Sequence, residues 1–377
     1  MSFGNDLTIL LTLKDRISFT FRWMNYVNSI AFPFKVLIAD GGSDERVPAM
    51  LSEKTRFPNV DFEYVRYPYD RSYADYYAKI ADALARIRTP FVAMADNDDF
   101  FIVDTLNEAV QFLSSNHDYA SCGGQCSKFW IRPTDGDDVI YGNSIDYKCG
   151  MIRSITAESA NERLRGQSLS TADPIYYDVK RIEDARKQFE IIRNLNMNDL
   201  FLCEILVQFL TAIAGKTKRL DRLYIARQHN SPVSSAGEHH KRFGDWLGRM
   251  LVESWSEDFT KFVRTVSGCL AAAEGIPMAE AKDCVIKAYR IFAGPPLVSD
   301  ILDENTVTLP MIIVAATAKY FVRLPKDSST RKIAWKLYRT IRGISLDAVY
   351  GNEFFATPVP NLKKDFKPIL EFLKRPR

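Results

Sequence analysis

The sequence predicts an α/β protein: a mostly parallel sheet flanked by helices, continued by a mainly α-helical C-terminal part. Short continuous apolar runs alternate with helix-period segments between residues 7 and 123, the pattern of strands buried on both faces. Polar clusters follow three of those runs directly. Beyond residue 231 the apolar spacing is mainly helical.

The first strand is Leu7 to Leu13 (LTILLTL), ending in Lys14-Asp15-Arg16, and an aromatic-rich helix follows from Ile17 to Ile30. Lys35 to Ala39 is the second strand and runs into Asp40-Gly41-Gly42-Ser43, where the two glycines suit a tight turn with positive φ. Val60 to Val65 is the third strand, Tyr73 to Ile87 a helix, and Phe91 to Ala95 the fourth strand, ending in Asp96-Asn97-Asp98-Asp99. Asp104 is placed to cap a helix through Ser114, before a fifth strand at Tyr119 to Gly123. Residues 125 to 174 lack periodicity and read as a loop-rich region over the site. Helices are expected at Val179 to Arg193 and Asp199 to Ala214, and a strand at Leu223 to Arg227; the later helical region should break at Gly294-Pro295-Pro296 and at Pro325. With 377 residues, two units are expected, 1–230 and 231–377.

Composition narrows the function classes. Hydrophobic residues at 46% supply a packed core and exclude a disordered chain. The six cysteines (Cys122, Cys126, Cys149, Cys203, Cys269, Cys284) form no CxxC pair, and none of the four histidines has zinc-site spacing to them, so structural zinc is not expected. Their apolar or Gly-rich surroundings suit a reducing compartment. Met1 to Asp6 has no basic, apolar leader pattern, and the longest apolar run, Pro310 to Ala318, is too short to span a bilayer. A cytoplasmic location is expected. Residues 319–377 carry 14 Lys/Arg against 5 Asp/Glu, or +9, leaving −6 in the rest of a chain whose total is +3.

In a parallel sheet, ligands bind beyond the carboxyl ends of the strands, and Lys14–Arg16, Asp40–Ser43 and Asp96–Asp99 all fall there. Asp96 and Asp98 project on one side if the strand conformation persists. Neighbouring carboxylates repel, and a hard divalent cation, Mn²⁺ or Mg²⁺, relieves that repulsion while attracting a diphosphate. Asp-Asn-Asp-Asp is equally a solvated turn and helix cap when taken alone.

With these motifs in this order, residues 5 to 230 resemble the GT-A (Rossmann-like) glycosyltransferases, closest to the inverting family-2 group. In that family the first strand ends in a short Thr-containing polar turn, matched by Thr12 to Arg16. The second ends in an Asp-Asp-Gly-Ser-like motif, matched by Asp40-Gly41-Gly42-Ser43 with Gly41 in place of the second Asp. The fourth ends in a metal-binding Asp-x-Asp followed by another Asp, matched by Asp96 to Asp99. The resemblance implies a nucleotide-binding set of Thr12, Lys14, Asp15, Arg16, Asp40, Gly41, Asp96 and Asn97. In it Asp40 contacts the base, Asp15 and Arg16 line its pocket, and Asp96 reaches the ribose. Asp98 is then the principal metal ligand. Arg227 and His229 loosely match a family pattern that approaches the diphosphate or metal; His229 is a candidate ligand, and Arg227 and Asp99 face the diphosphate or acceptor. An inverting transfer needs a carboxylate base, which the resemblance puts at Asp199, with Glu204 in reserve. As an N-cap or first-turn acid Asp199 equally has a structural role.

The implied activity is metal-dependent transfer of a sugar from a nucleotide sugar to a glycan or lipid-linked acceptor, in surface polysaccharide or glycoconjugate synthesis. Two alternatives stay open: a sugar-nucleotide nucleotidyltransferase, disfavoured because Lys14-Asp15-Arg16-Ile17 contains no glycine, and a non-catalytic glycan-binding protein on the same fold. Arg331 to Arg342 (RKIAWKLYRTIR) forms a basic amphipathic pattern, which serves either as an ordinary domain helix or as a peripheral contact with the anionic inner face of a membrane. The basic tail carries no nucleic-acid-binding motif, and nucleic acid is not an expected partner.

Overall fold

The computed structural model describes residues 5–132, 139–170, 174–231, 241, 246–305 and 359–374. The strands are β1 (Leu7–Leu13), β2 (Lys35–Asp40), β3 (Phe62–Arg66), β4 (Phe91–Ala95), β5 (Asp99–Phe101), β6 (Tyr119–Arg132), β7 (Ser144–Gly150), β8 (Val179–Arg181) and β9 (Lys216–Gln228). The helices are α1 (Ile17–Ser29), α2 (Arg46–Ser52), α3 (Tyr73–Arg86), α4 (Val103–Ser115), α5 (Ala160–Ser168), α6 (Ile182–Leu195), α7 (Leu200–Ala214), α8 (Trp246–Met250), α9 (Glu253–Glu274), α10 (Met278–Asn305) and α11 (Leu362–Leu373).

The strands form one nine-stranded sheet in the order β3-β2-β1-β4-β8-β6-β9-β5, with β7 paired to β6. β1, β2, β3 and β4 are parallel to one another, and so are β6 and β9. The short β8 lies antiparallel to both β4 and β6, while β5 on β9 and β7 on β6 are antiparallel too. The expected mostly parallel sheet is therefore a mixed one, because β8 reverses direction at its centre.

Every residue of β1 and β4 is buried, as expected for strands covered on both faces. Leu13 pairs with Asp40 and Leu11 with Ala95, so the polar segments after β1, β2 and β4 emerge along one edge. α3 starts with a capping box in which Ser72 and Asp75 exchange bonds, fixing its entry beside that edge.

Several expectations are corrected. Asp104 lies in the first turn of α4 and Ile102 is the N-cap, with no side-chain cap; β5 runs directly into α4 and the Ile102 amide is satisfied by Tyr224 O at 2.9 Å. Much of residues 125–174 is ordered: β6 continues to Arg132, β7 pairs along it and α5 follows, since cross-strand partners stabilise what shows no period alone. Val179–Arg181 is a strand, with the helix starting only at Ile182. The backbone of α10 stays helical through Gly294-Pro295-Pro296; the prolines remove two donors, and packing on α9 and α5 holds the helix nonetheless. Pro310–Ala318, Pro325, the 331–342 segment and His239–His240 lie outside the described residues. Among the described residues no helix is long and apolar enough to cross a membrane.

The buried apolar cluster is continuous from Leu7 in β1 through Phe209 in α7, Phe262 in α9 and Tyr289 in α10 to Phe366 and Phe372 in α11. α11 packs against α1 and the sheet beside the candidate site: the Phe372 ring meets Tyr26 of α1 at 5.2 Å and Phe100 of β5 at 6.4 Å, both edge-on, and Phe366 lies 6.0 Å from Phe129 of β6. Burying such an aromatic side chain contributes roughly 1.5–3 kcal/mol, so this C-terminal helix is tied to the sheet.

Candidate active site

β4 ends at Ala95 and the chain turns back, the Asp99 amide reaching Asp96 O at 3.4 Å. β5 then pairs Asp99 with Arg227 of β9. This reversal, and not a continued strand, brings the carboxylates together: Asp96, Asp98 and Asp99 each offer an oxygen, all within 4.8 Å of one another.

The turn is braced from several sides. Arg16 Nη2 donates to Asp98 Oδ2 at 2.9 Å and also bonds the Ser231 hydroxyl. Tyr177 donates its hydroxyl to Asp96 Oδ2 at 2.6 Å and accepts from Arg227 Nη2 at 2.8 Å. Asp99 accepts from Arg227 Nε at 2.8 Å and from the Gln228 amide at 3.2 Å. Beneath the turn Arg22, wholly buried, donates to Asp98 O at 3.1 Å, Gln228 Oε1 at 2.6 Å and Ile140 O at 3.0 Å. Asn97 is also turned inward, bonding Thr20 Oγ1 at 3.0 Å, and does not face the ligand edge as expected of a nucleotide contact; its amide ties the turn to α1.

Three carboxylates here meet the guanidinium groups of Arg16 and Arg227, with the buried guanidinium of Arg22 beneath the turn and close enough to act on Asp98 and Asp99. Burial and the neighbouring Asp98 raise the pKa of Asp96. Burial also raises Asp99, although Arg227 opposes it. Burial alone would raise Asp98 too, but Arg16 outweighs it and holds that carboxyl below its usual value. Hard oxygen donors in this number and closeness fit Mg²⁺ or Mn²⁺. A cation there would compete with Arg16 for Asp98.

Next to the triad, Asp15 and Arg16 occupy the left-handed region at φ 56° and 58°. Two consecutive non-glycine residues in that region store backbone strain of the kind concentrated at functional sites. Asp15 Oδ1 accepts from the Ser43 amide at 2.8 Å and hydroxyl at 3.1 Å, which binds the β1 and β2 ends together. Asp40 is 1% exposed: the Gly42 amide (2.8 Å) and the Tyr64 hydroxyl (2.8 Å) donate to it, and Arg66 lies at 3.7 Å. It shapes the turn and offers little surface to a base. Gly41 and Gly42 do not have positive φ, the reason expected for them. They are required by close approach: a Cβ on Gly41 would collide with the Asp70 carboxylate, and one on Gly42 would lie 2.5 Å from Asp15 N. Asp70 is held by buried Lys79, which also donates to Leu13 O at 2.9 Å. Thr12 Oγ1 bonds the Tyr76 hydroxyl at 3.0 Å, and Lys14 Nζ lies 4.9 Å from the ring centre of Tyr69, an exposed side chain on the rim.

Asp199 is the N-cap of α7, its Oδ1 accepting from the Leu202 amide at 2.8 Å, and its Oδ2 lies 3.3 Å from Arg249 Nε. Arg249 is itself buried between Phe201 and Trp246, at 4.6 and 4.2 Å. Glu204, one turn further along, forms no hydrogen bond or ion pair among the described residues. Burial pushes its carboxyl up to about 7, with Arg227 opposing and Asp96 and Asp199 adding to the rise. Glu204 thus feels both the triad and the α7 cap. His229 is not in the carboxylate group; its residue is exposed, its ring lies 5.2 Å from that of Trp130, and partial desolvation together with the nearby Lys128 and Arg227 lowers its pKa.

Tyr177, Arg22 and Gln228 are the site residues that sequence reasoning missed. The doublet Tyr176-Tyr177 before the apolar Val179 was the only available signal for the first. Nothing in the pattern distinguishes buried Arg22 from a surface arginine of α1.

No family model matches the chain, and no curated protein matches it. Among solved structures the chain is similar to residues 1–349 of Staphylococcus aureus TarS in complex with UDP-GlcNAc, at 12% identity and TM-score 0.49, over 92% of this chain and 90% of that one. Against the longer TarS structure the TM-score is 0.47 at 12% identity over 92% of this chain, which spans about half (55%) of that protein. It is also similar to the mannosyltransferase PcManGT from Pyrobaculum calidifontis, in complex with GDP-Man and Mn²⁺, at 12% identity and TM-score 0.41, covering 92% and 88% of the two chains.

Proposed function

We propose that this chain is an inverting, divalent-metal-dependent glycosyltransferase that moves a sugar from a nucleotide sugar to a glycan or lipid-linked acceptor in surface polysaccharide or glycoconjugate synthesis. The observation that carries the reading is the convergence of Asp96, Asp98 and Asp99 within 4.8 Å at the sheet edge where β1, β2 and β4 end. Asp98 and its two neighbours would hold Mn²⁺ or Mg²⁺. The bound ion supplies charge neutralisation for the departing nucleoside diphosphate.

The residues of the chain supply the rest. Tyr177 and Arg227 orient Asp96 and Asp99, and Arg227 also presents a cation beside the diphosphate. The strained Asp15-Arg16 pair and the Gly41-Gly42 turn shape the nucleoside end. The acceptor hydroxyl attacks the anomeric carbon, the bond to the diphosphate oxygen breaks, and a carboxylate at the start of α7 takes the hydroxyl proton. In our reading by resemblance that carboxylate is Asp199. A specific observation favours a second reading, Glu204, because Asp199 is engaged by the helix amide and Arg249 whereas Glu204 has no hydrogen bond or ion pair among the described residues.

Release of nucleoside diphosphate from a panel of UDP, GDP, CDP and dTDP sugars, with and without Mn²⁺, tests the activity. Metal-dependent stabilisation without any release from the whole panel would count against transfer. Comparing Asp199→Asn with Glu204→Gln identifies the base. If Glu204 is the base, the rate of the unaltered protein climbs with pH through about 7, and Glu204→Gln keeps nucleotide binding but loses turnover by roughly 100-fold or more. The stability sign is opposite: a carboxyl whose folded pKa is raised retains its proton while the unfolded chain loses it. Stability from this group therefore falls as pH rises from its unfolded value towards 7. Glu204→Gln should show a melting temperature that gains on the wild type between pH 5 and pH 8. Full turnover by Glu204→Gln, with loss in Asp199→Asn, returns the role to Asp199.

A further inference from the structure

The register of the sheet places Asp99, Arg227, Lys128 and Lys148 in one row across β5, β9, β6 and β7: Asp99 pairs with Arg227, Arg227 with Lys128, and Lys128 with Lys148. Paired residues project from the same face, so this row leaves the carboxylate triad and continues through three successive cations. At ~4.8 Å per strand it runs ~14 Å. Arg227 is matched by Asp99, but Lys128 and Lys148 are both exposed and have no ion pair among the described residues. Like charges directly opposite one another destabilise a sheet, and nothing else in the row relieves this pair. Two residues along β6 on the same face lies the partly exposed ring of Trp130, with Lys148 Nζ 6.0 Å and the His229 ring 5.2 Å from its centre. Its row partner Asp146 is neutralised by Arg132.

We propose that this exposed face of β9, β6 and β7 binds an anionic saccharide chain, with Trp130 under a sugar ring and Lys128 and Lys148 on its phosphate or carboxylate groups. The assignment rests on the glycosyl-transfer reading for its purpose, since the row ends at the triad and would lead such an acceptor to it. The face suits a saccharide by its mixture of groups. The C–H face of a sugar packs on the electron-rich face of an indole, and the facing ammonium groups accept an anion that removes their mutual repulsion. A bilayer is a poorer match, because the row has no apolar rim to insert beside its cations.

The test is calorimetric titration of the full chain with two anionic probes, a hexameric oligogalacturonate and a phosphorylated oligosaccharide, against neutral maltohexaose. Lys128→Ala/Lys148→Ala and Trp130→Ala are compared with the wild type, and Mn²⁺ binding is measured separately on each. The expected result is salt-sensitive binding of at least one anionic probe over maltohexaose, weakened about tenfold or more in both variants, with Mn²⁺ affinity unchanged. Binding of neither anionic probe, equal binding of the neutral one, variants indistinguishable from wild type, or preferential binding to phosphatidylglycerol vesicles would each overturn the proposal. Loss of Mn²⁺ binding in the wild type bears on the triad alone, so the two failures are distinguishable.

Discussion

Asp98→Ala is expected to abolish divalent-dependent nucleotide binding, a loss of about 100-fold or more, while leaving the fold intact. Asp98 is the member of the triad whose carboxyl is held below its usual value despite burial, because Arg16 faces it. It is therefore the most fully ionised ligand available to a cation, and its removal takes away the donor a divalent ion uses best; such an ion contributes several kcal/mol to charge stabilisation. Stability should change little, since the substitution also removes a repulsive neighbour of Asp96 and Asp99, and Arg16 keeps its bond to Ser231. Electron paramagnetic resonance of Mn²⁺ with a nucleoside diphosphate, alongside a melting curve, checks both halves. Wild-type Mn²⁺ affinity in the variant would remove Asp98 from the metal role.

The largest effect on folding is expected from Arg219→Met. Arg219 Nη1 and Asp178 Oδ1 are 2.6 Å apart, and both side chains are fully buried. Asp178 also accepts from Ser121 Oγ at 2.9 Å, and the pair packs against Gly123, where any side chain would collide with both partners. Removing one partner strands the other charge in the interior and costs roughly 3–5 kcal/mol. Asp178 directly follows Tyr177, so disorder at the pair would propagate to the hydroxyl that orients Asp96 and Arg227. Chemical denaturation should show the loss, and Arg219→Met combined with Asp178→Leu should recover most of it. A single variant as stable as the wild type would contradict the buried-pair account.

Much of the sheet edge was legible because its causes are local. β1, β2 and β4 are uninterrupted apolar runs, and each ends in residues that cannot continue a buried strand. Alternation with helix-period segments was enough to align those ends. β5, β7 and β8 were not legible: three-residue strands have no period, and β7 is half-exposed, so only their partners β9, β6 and β4 define them. The same distinction applies to the site. The acidic turn could be read from four adjacent residues, whereas Tyr177 and Arg22 reach it from distant positions and are recognisable only by what they touch. Asp40 shows the limit from the other side. Its position at the end of β2 was correctly placed, but the structure surrounds it with Gly42, Tyr64 and Arg66 and leaves it buried. Likewise Gly41 and Gly42 were rightly noted as special, for the wrong reason: proximity of Asp70 and Asp15 excludes a side chain, with no unusual φ involved.

The most direct measurement is anomalous diffraction from a crystal grown with Mn²⁺ and a nucleoside diphosphate. The account predicts an anomalous peak within coordination distance of Asp98 and at least one of Asp96 and Asp99, in contact with the diphosphate and with Arg16 displaced from Asp98. A peak elsewhere, or a bound diphosphate with no cation beside these carboxylates and the Arg16–Asp98 pair intact, would contradict it.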